Sequence, residues 1–455
     1  MKKTAADKSP ALLLAERMAV ALKQQQYAPG EIIASLPELN ASYQVGRPVL
    51  RQAVRILEER GIATLRRGAG GGLVALEPNP AYAGRALSIL IESKLRHFSD
   101  LGVLLESIDY YVYLFHSPLL SAADCVQLRR LVNRLNRLSE EEFLRTQAHH
   151  QLACAIRRLV RVPVMELLEK AAYECSLDLI PHHITLRNDR RGSPAWAVTL
   201  ETVEALVAGD IPWLLDCQKK QRAIMEESWQ ADLDAGVAAP DAGDGADYPA
   251  ANSQAERIVR DILRDIRRLG WTEGERIASG VELARRFQTT PDIVRQAIII
   301  LQQYGVVAVD KGRAGGLRIA VLDRQQMLGA VRDYLRDAGS ESRSLREFLL
   351  QLTLKVVADS EGRQPGQLRR AALASGGGDP GGKKSPASGA GDDLLWLLDY
   401  LCDHPVLRTL TELAAPLIGP IGDRDGCRAV LDAFASGDLP MARRQLMDCY
   451  ADVKS

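Results

Sequence analysis

Residues 33–74 read IASLPELNASYQVGRPVLRQAVRILEERGIATLRRGAGGGLV, and residues 277–318 read IASGVELARRFQTTPDIVRQAIIILQQYGVVAVDKGRAGGLR. The two stretches align without a gap at a constant offset of 244 residues, and the match reaches upstream to Gly30-Glu31 and Gly274-Glu275. Ile33-Ala34-Ser35, Glu38-Leu39, Arg51-Gln52-Ala53, Leu57, Gly61, Gly68 and Gly71-Gly72-Leu73 all return. A repeat of such long period is no solenoid; it is a duplicated domain.

Each copy predicts three short helices and a two-stranded hairpin. Leu12, Leu13, Met18, Ala19 and Leu22 fall at helical spacing before the break at Tyr27-Ala28-Pro29-Gly30. Ser35-Leu36-Pro37-Glu38 has the form of a capping box, in which the serine oxygen takes an orphan amide and the glutamate reaches back. Ser279-Gly280-Val281-Glu282 repeats it, so a second helix is expected over about Leu36 to Tyr43. A third begins at Arg47-Pro48, and at Thr290-Pro291 in the second copy, where proline suits a first helical turn. Val49, Ala53, Ile56 and Leu57 mark its buried face, while Arg47, Arg51 and Arg55 recur every four residues on another. Gly61 stops the helix. Ile62–Leu65 and Leu73–Leu76 can then pair as strands around the flexible Gly68–Gly72 tip.

Those parts make a winged helix-turn-helix. A helix fits the major groove, guanidinium forks match guanine edges and phosphates, and the wing reaches a neighbouring backbone. The competing reading is a solvated charged helix in an ordinary α+β domain, and four-residue arginine spacing alone would not separate the two. The capped helix, turn, arginine face and glycine wing, each present twice, favour the DNA reader.

Residues 33–74 resemble the DNA-binding domain of the GntR family of bacterial transcription regulators. The family's run of Arg, two variable positions, a hydrophobe, Arg, Glu/Gln and Ala stands here as Arg47-Pro48-Val49-Leu50-Arg51-Gln52-Ala53. The helical stretches after each copy resemble the ligand-sensing domain of the FadR-like subfamily. The resemblance implies that Arg47 and Arg51, with Arg55 on the same helix, contact operator DNA, and that Arg66, Arg67 and the tip around Gly70 lie on the minor-groove side. In the second copy the candidate contacts are Arg295 and Gln296 on the third helix and Lys311 and Arg313 at the wing tip. Two departures stand out. Pro37 and Val281 occupy the position before Glu-Leu where the family usually has arginine, and Pro291-Asp292 replaces the arginine heading the second recognition helix. Residues 47–60 hold four Arg and two Glu, whereas 291–304 hold one Arg and one Asp. The second copy therefore reads as a weaker reader, a reader of a different half-site, or a structural remnant.

The whole chain is electrically balanced, with 58 Lys+Arg and 58 Asp+Glu in 455 residues, so no global field draws it to nucleic acid. Local patches must do so: residues 40–75 and 284–320 each hold six basic and two acidic side chains. Apolar content of 46% and charged content of 25% are ordinary for a soluble globular protein. No apolar run approaches a membrane span, and Leu12-Leu13-Leu14 is too short for an export core. The seven cysteines are scattered without CxxC spacing, which fits reduced cytosolic thiols and a cytoplasmic location.

Four domains and a linker are expected: a winged helix over 1–79, an all-α sensing domain over 80–230, a linker over 231–252, a second winged helix over 253–322 and a second all-α domain over 323–455. The fold class is thus mainly α, two winged helix-turn-helix domains each followed by a helical bundle. Leu87, Leu90, Ile91 and Leu95 form one helical stripe after the first wing, and Leu101, Leu104, Leu105 and Ile108 the next. Residues 231–253 are small, acidic and Pro/Gly-rich, the composition of a flexible linker. Residues 374–391 form a low-complexity loop. Val430–Phe434, Gly437-Asp438 and Met441 echo Val203–Ala208, Gly209-Asp210 and Trp213, so the duplication covers both layers.

Many FadR-like sensing domains bind a divalent metal through an Asp-x-x-x-His pair and two later histidines. By that resemblance the later positions fall on Thr199 and Gln221, and His149-His150 lacks a carboxylate four residues earlier. In the second copy they fall on Cys427 and Cys449, a thin hint of a thiophilic metal weighed against two small space-filling residues. His182-His183 and His404 have no partners at ligand spacing. No metal or cofactor is expected. Nor is catalysis: Walker, dinucleotide and nucleophile-elbow sequences are absent, and the helical middle excludes the aminotransferase fusion found in some GntR-type regulators. The expected partners are double-stranded operator DNA and an unknown small-molecule effector, with Arg157, Arg158 or Arg161 as candidate contacts. The pair of readers is expected within one chain as a pseudo-dimer, with a homodimer of the whole chain also open.

Overall fold

Leu12, Leu14, Ala15 and Met18 are buried along one side of the first helix, α1 (Pro10–Gln25), in the computed structural model. The model describes residues 9–25, 27–68, 70–93, 99–113, 117, 120–160, 162–179, 190–234, 254–310, 316–340, 342–359 and 405–418, with isolated positions beyond. Among these the fold is mainly helical. The chain divides into one unit of Met1–Ser93 with Asp241–Ala338 and another of Lys94–Pro240 with Gly339–Ser455.

In the first unit, strand β1 (Ile32–Ala34) follows α1 and leads into α2 (Leu36–Tyr43). Ser35 caps α2 as its sequence predicts: its hydroxyl accepts from the Glu38 amide, and the Glu38 carboxylate accepts from the Ser35 amide at 2.7 Å. Gln44, in the left-handed region at φ 50°, closes α2. Helix α3 (Arg47–Glu59) then packs Leu50, Ala53, Ile56 and Leu57 against α1 in one apolar core with Leu39 and Leu73. Gly61, at φ 67°, ends it.

The expected two-stranded hairpin is a three-stranded antiparallel sheet. Strands β2 (Ala63–Arg66) and β3 (Gly72–Ala75) pair as anticipated, and β1 adds to the free edge of β3 with Ile32 opposite Val74. Three residues are too few for alternation to show in sequence, which hid β1. Helix α4 (Pro80–Glu92), capped by Asn79, follows.

The same elements return at the repeat offset. Seven helices intervene among the described residues: α5 (Ser99–Tyr111), α6 (Ala122–Leu135), α7 (Glu140–Arg145), α8 (Ala148–Arg157), α9 (Pro163–Leu179), α10 (Pro194–Ala208) and α11 (Ile211–Asp234). The returning set is α12 (Gln254–Arg268), β4 (Arg276–Ala278), α13 (Gly280–Arg286), α14 (Pro291–Gln303), β5 (Val307–Val309), β6 (Leu317–Ile319) and α15 (Arg324–Asp337). Its sheet runs β4-β6-β5, and Arg276 opposite Arg318 repeats the register of Ile32 with Val74. Gln288 (φ 47°) and Gly305 (φ 65°) repeat the backbone of Gln44 and Gly61.

Within this unit the two sets pack on each other through equivalent parts. Helix α4 lies against α15, its own counterpart. Gln303 donates from Nε2 to Glu59 Oε2 at 2.7 Å. Tyr82 stacks on Tyr304 with centroids 4.9 Å apart, and Arg60 lies over the Tyr82 ring. Arg267 pairs with the buried Glu92 at 2.7 Å, and at the equivalent place Lys23 pairs with Asp333 at 3.1 Å. Helix α4, read from sequence as opening the helical domain, groups with this unit because Leu87, Leu90 and Ile91 are buried here.

The second unit holds α5–α11, α16 (Ser342–Asp359) and α17 (Pro405–Ile418). Helix α10 packs on α11, α5 on α9, and α16 on both α5 and α17. Tyr111 meets Phe348 edge-on at 6.0 Å and donates its hydroxyl to the Ser344 carbonyl. The expected linker from residue 235 onward and the 374–391 loop lie outside the described residues. No helix among the described residues is long and apolar enough to cross a membrane.

Candidate nucleic-acid interface

The core side of α3 is fixed by its apolar residues, and this leaves Arg47 and Arg51 exposed at its start. Neither has a carboxylate within ion-pair distance among the described residues. The first turn of α3 contains no acid, Gly46 offers no side-chain cap, and Pro48 has no amide, so the amides of Arg47 and Val49 remain available to an anion. Arg66 and Arg67 are exposed at the end of β2, and Arg66 donates to the Gly70 carbonyl at 3.5 Å across the tip.

The other charges of α3 turn elsewhere. A four-residue step advances about 40° around a helix of 3.6 residues per turn, so Arg55 has drifted from Arg47 toward the Glu59 side. There it pairs with Glu59 at 3.7 Å. Arg60, counted in the basic patch, lies over Tyr82. Glu58 accepts from the Leu65 amide at 2.8 Å and from the Thr64 hydroxyl at 3.0 Å, tying the wing strand to the helix. Sequence reading counted Glu58 only as a charge; its position at the helix end, six or seven residues before a strand, was the available signal.

On α14 the arrangement differs. Arg295 is exposed, and Asp292 pairs with it at 2.5 Å from the first turn of the same helix. Gln296 is half-buried beside it. Asp310, the counterpart of Arg66, pairs with Arg318 at 2.5 Å. Arg276 pairs with Glu282 at 2.6 Å, and Ser279 holds that carboxyl at about 2, mainly through its backbone amide. Arg286 pairs with Asp265, while Arg285 is exposed. Lys311 and Arg313 lie outside the described residues.

In the helical unit, His149 Nε2 and Thr199 Oγ1 stand 2.7 Å apart, and His150 Nε2 is 3.3 Å from Cys154 Sγ. Among the described residues no group of three or more His, Cys, Asp or Glu side chains could hold a metal. Arg157 is taken up by Asp109 at 3.0 Å, and Arg158 stands 3.9 Å from Glu169. Arg161, His182, His183, His404, Cys427 and Cys449 lie outside the described residues.

Residues 12–72 match the family model of bacterial regulatory proteins, gntR family. That span runs from α1 to the first residue of β3 and contains Arg47, Arg51, Arg66 and Arg67. None of the curated proteins matches the chain. A solved structure described as "Lar controls the expression of the Listeria monocytogenes agr system and mediates virulence" is similar at 15% identity and a TM-score of 0.24. The match covers 49% of this chain and 98% of that one. A likeness that slight supports no argument.

Proposed function

We propose that the chain is a transcription regulator of GntR/FadR type, a tandem duplication in which two winged helix-turn-helix domains pair within one polypeptide as a pseudo-dimer. The observation that carries the DNA-binding reading is the exposed Arg47 and Arg51 at the acid-free start of α3, inside the segment that matches the gntR model. The pairing is supported by contacts between equivalent positions, which an isologous interface requires near its axis. Covalent attachment raises the effective concentration of one half for the other, so the pair forms without a second chain. Two readers so paired would address half-sites about one helical turn apart.

The residues 94–230 and 339–455 are read as sensing domains for a small-molecule effector that adjusts DNA binding. The regulator is read as cytoplasmic and without catalytic activity. Selection of bound duplexes from a random pool, followed by titration at several salt concentrations, tests the reading. Arg51→Ala should weaken binding and lower the magnitude of the salt slope by about one. Unchanged strength and slope would leave the winged helix as scaffold only. Light scattering settles whether one chain or two occupy the particle.

A second reading, an interaction module that retains a winged helix without DNA contact, is favoured for the second copy alone, by the pairing of its one recognition-helix arginine with Asp292.

A further inference from the structure

Helices α3 and α14 have the same length and the same Arg-Gln-Ala at the same place, and each has a proline in its first turn, second in α3 (Pro48) and first in α14 (Pro291). They differ in what faces outward from the first turn. In α3 this is Arg47, with no acid. In α14 it is Pro291 and Asp292, and the Asp292 carboxylate meets Arg295 Nη1 at 2.5 Å with both side chains largely exposed, at 85% and 65%. We infer that Asp292 is a charge lock: it silences phosphate binding by α14 and makes the two-reader unit asymmetric in its demand on DNA. This rests on the proposed DNA-binding reading.

Three physical effects act together, and their sizes rank them. The ion pair itself is weak, because an exposed pair in water is worth about 0–1 kcal/mol. Arg295 could leave Asp292 for a phosphate at little cost. What it cannot do is take the carboxylate's charge away. Asp292 stays on the face that approaches the backbone, where its own repulsion offsets the attraction of Arg295. It also occupies the positive end of the helix dipole, which α3 leaves open to an anion. The charge of the face decides, not the strength of the bond. The wing continues the pattern, since Asp310 stands where the first copy has Arg66 and is itself paired with Arg318.

The lock assigns the two half-sites different roles. The half under α3 supplies phosphate contacts and guanine readout by arginine. Under α14 the recognition helix is left to neutral contacts, with Gln296 as the base-reading side chain, and the cation that flanks it is Arg285 on α13. An adenine is the base that a glutamine amide matches in the major groove.

The test uses the full chain and a duplex selected by the wild-type protein from a random pool. Asp292→Asn keeps the shape of the first turn without its charge, and Asp292→Ala removes the side chain; circular dichroism checks that both fold. Each should bind more tightly, with a salt slope steeper by about one. The ratio of variant to wild-type affinity should grow about 3.5-fold as salt falls from 200 to 50 mM. Arg295→Ala should change little in the wild-type background and cancel the gain in the Asp292→Asn background. The inference is overturned if Asp292→Asn leaves the slope unchanged or weakens binding. It is also overturned if Arg295→Ala costs as much in the wild type as Arg51→Ala. Failure of the DNA-binding reading is separate: there Arg51→Ala itself would change neither strength nor slope.

Discussion

Glu59 and Gln303 are 244 residues apart, the offset of the repeat, and they are hydrogen-bonded to each other at 2.7 Å. A contact between such counterparts is what the proposed two-fold pairing would place near its axis. With glutamate on both sides, two carboxylates would face each other; with one amide, a donor meets an acceptor.

Gln303→Glu should therefore weaken the pairing at neutral pH, because like charges so close cannot both ionise. Unfolding followed by circular dichroism should show the loss at pH 8 and its recovery as the solution is acidified. A stability equal to wild type at pH 8 would contradict the axial placement.

Burial raises the Glu59 pKa above its ordinary value of 4.5, and the Gln303 amide and Arg55 offset this only in part. The folded chain thus holds this proton at a pH where the unfolded chain has released it. Stability from this group is fully present below 4.5 and falls as pH rises through the raised value. Glu59→Gln should remove that component of the pH dependence, read from melting temperatures between pH 4 and 8.

Arg267 and Lys23 occupy equivalent positions in different surroundings. Glu92, the partner of Arg267, is 2% exposed, whereas Lys23 and Asp333 are about half exposed. Arg267→Ala should cost about 3 kcal/mol by taking a cation from beside a buried carboxylate, and Lys23→Ala no more than about 1 kcal/mol. Equal costs in urea unfolding would show that burial does not govern these pairs.

Gly61 and Gly305 share a left-handed backbone, but a Cβ on Gly61 would lie 2.9 Å from the Asn79 Cβ, and one on Gly305 would meet nothing within 4 Å. Gly305→Ala should cost about 1–2 kcal/mol of backbone strain. Gly61→Ala should cost more, because Asn79 caps α4 and must move. Thermal unfolding of the two variants gives the comparison.

Arg47→Ala and Arg51→Ala should each lower the magnitude of the salt slope by about one, with Arg51 also relaxing base preference if it reaches a guanine. Arg55→Ala should leave the slope nearly unchanged, since the helical period carries it off the face of Arg47 to the side of Glu59. Fluorescence anisotropy on the selected duplex at four salt concentrations separates these outcomes.

By itself the sequence determined what neighbours along the chain can decide. The starts of α2 and α3, the stop at Gly61, the two strands around the glycine tip and the outward placing of Arg47 and Arg51 all depend on capping, dihedral preference and helical period. These act within a few residues, and they fix the part of α3 on which the candidate interface stands. Tertiary structure decided the rest. Strand β1 exists only because β3 presents an edge, Glu59 is held by a residue 244 positions on, and α4 leaves the helical region because its counterpart α15 is its partner. Such choices depend on which surfaces meet after the chain has folded back, and local spacing carries no record of that.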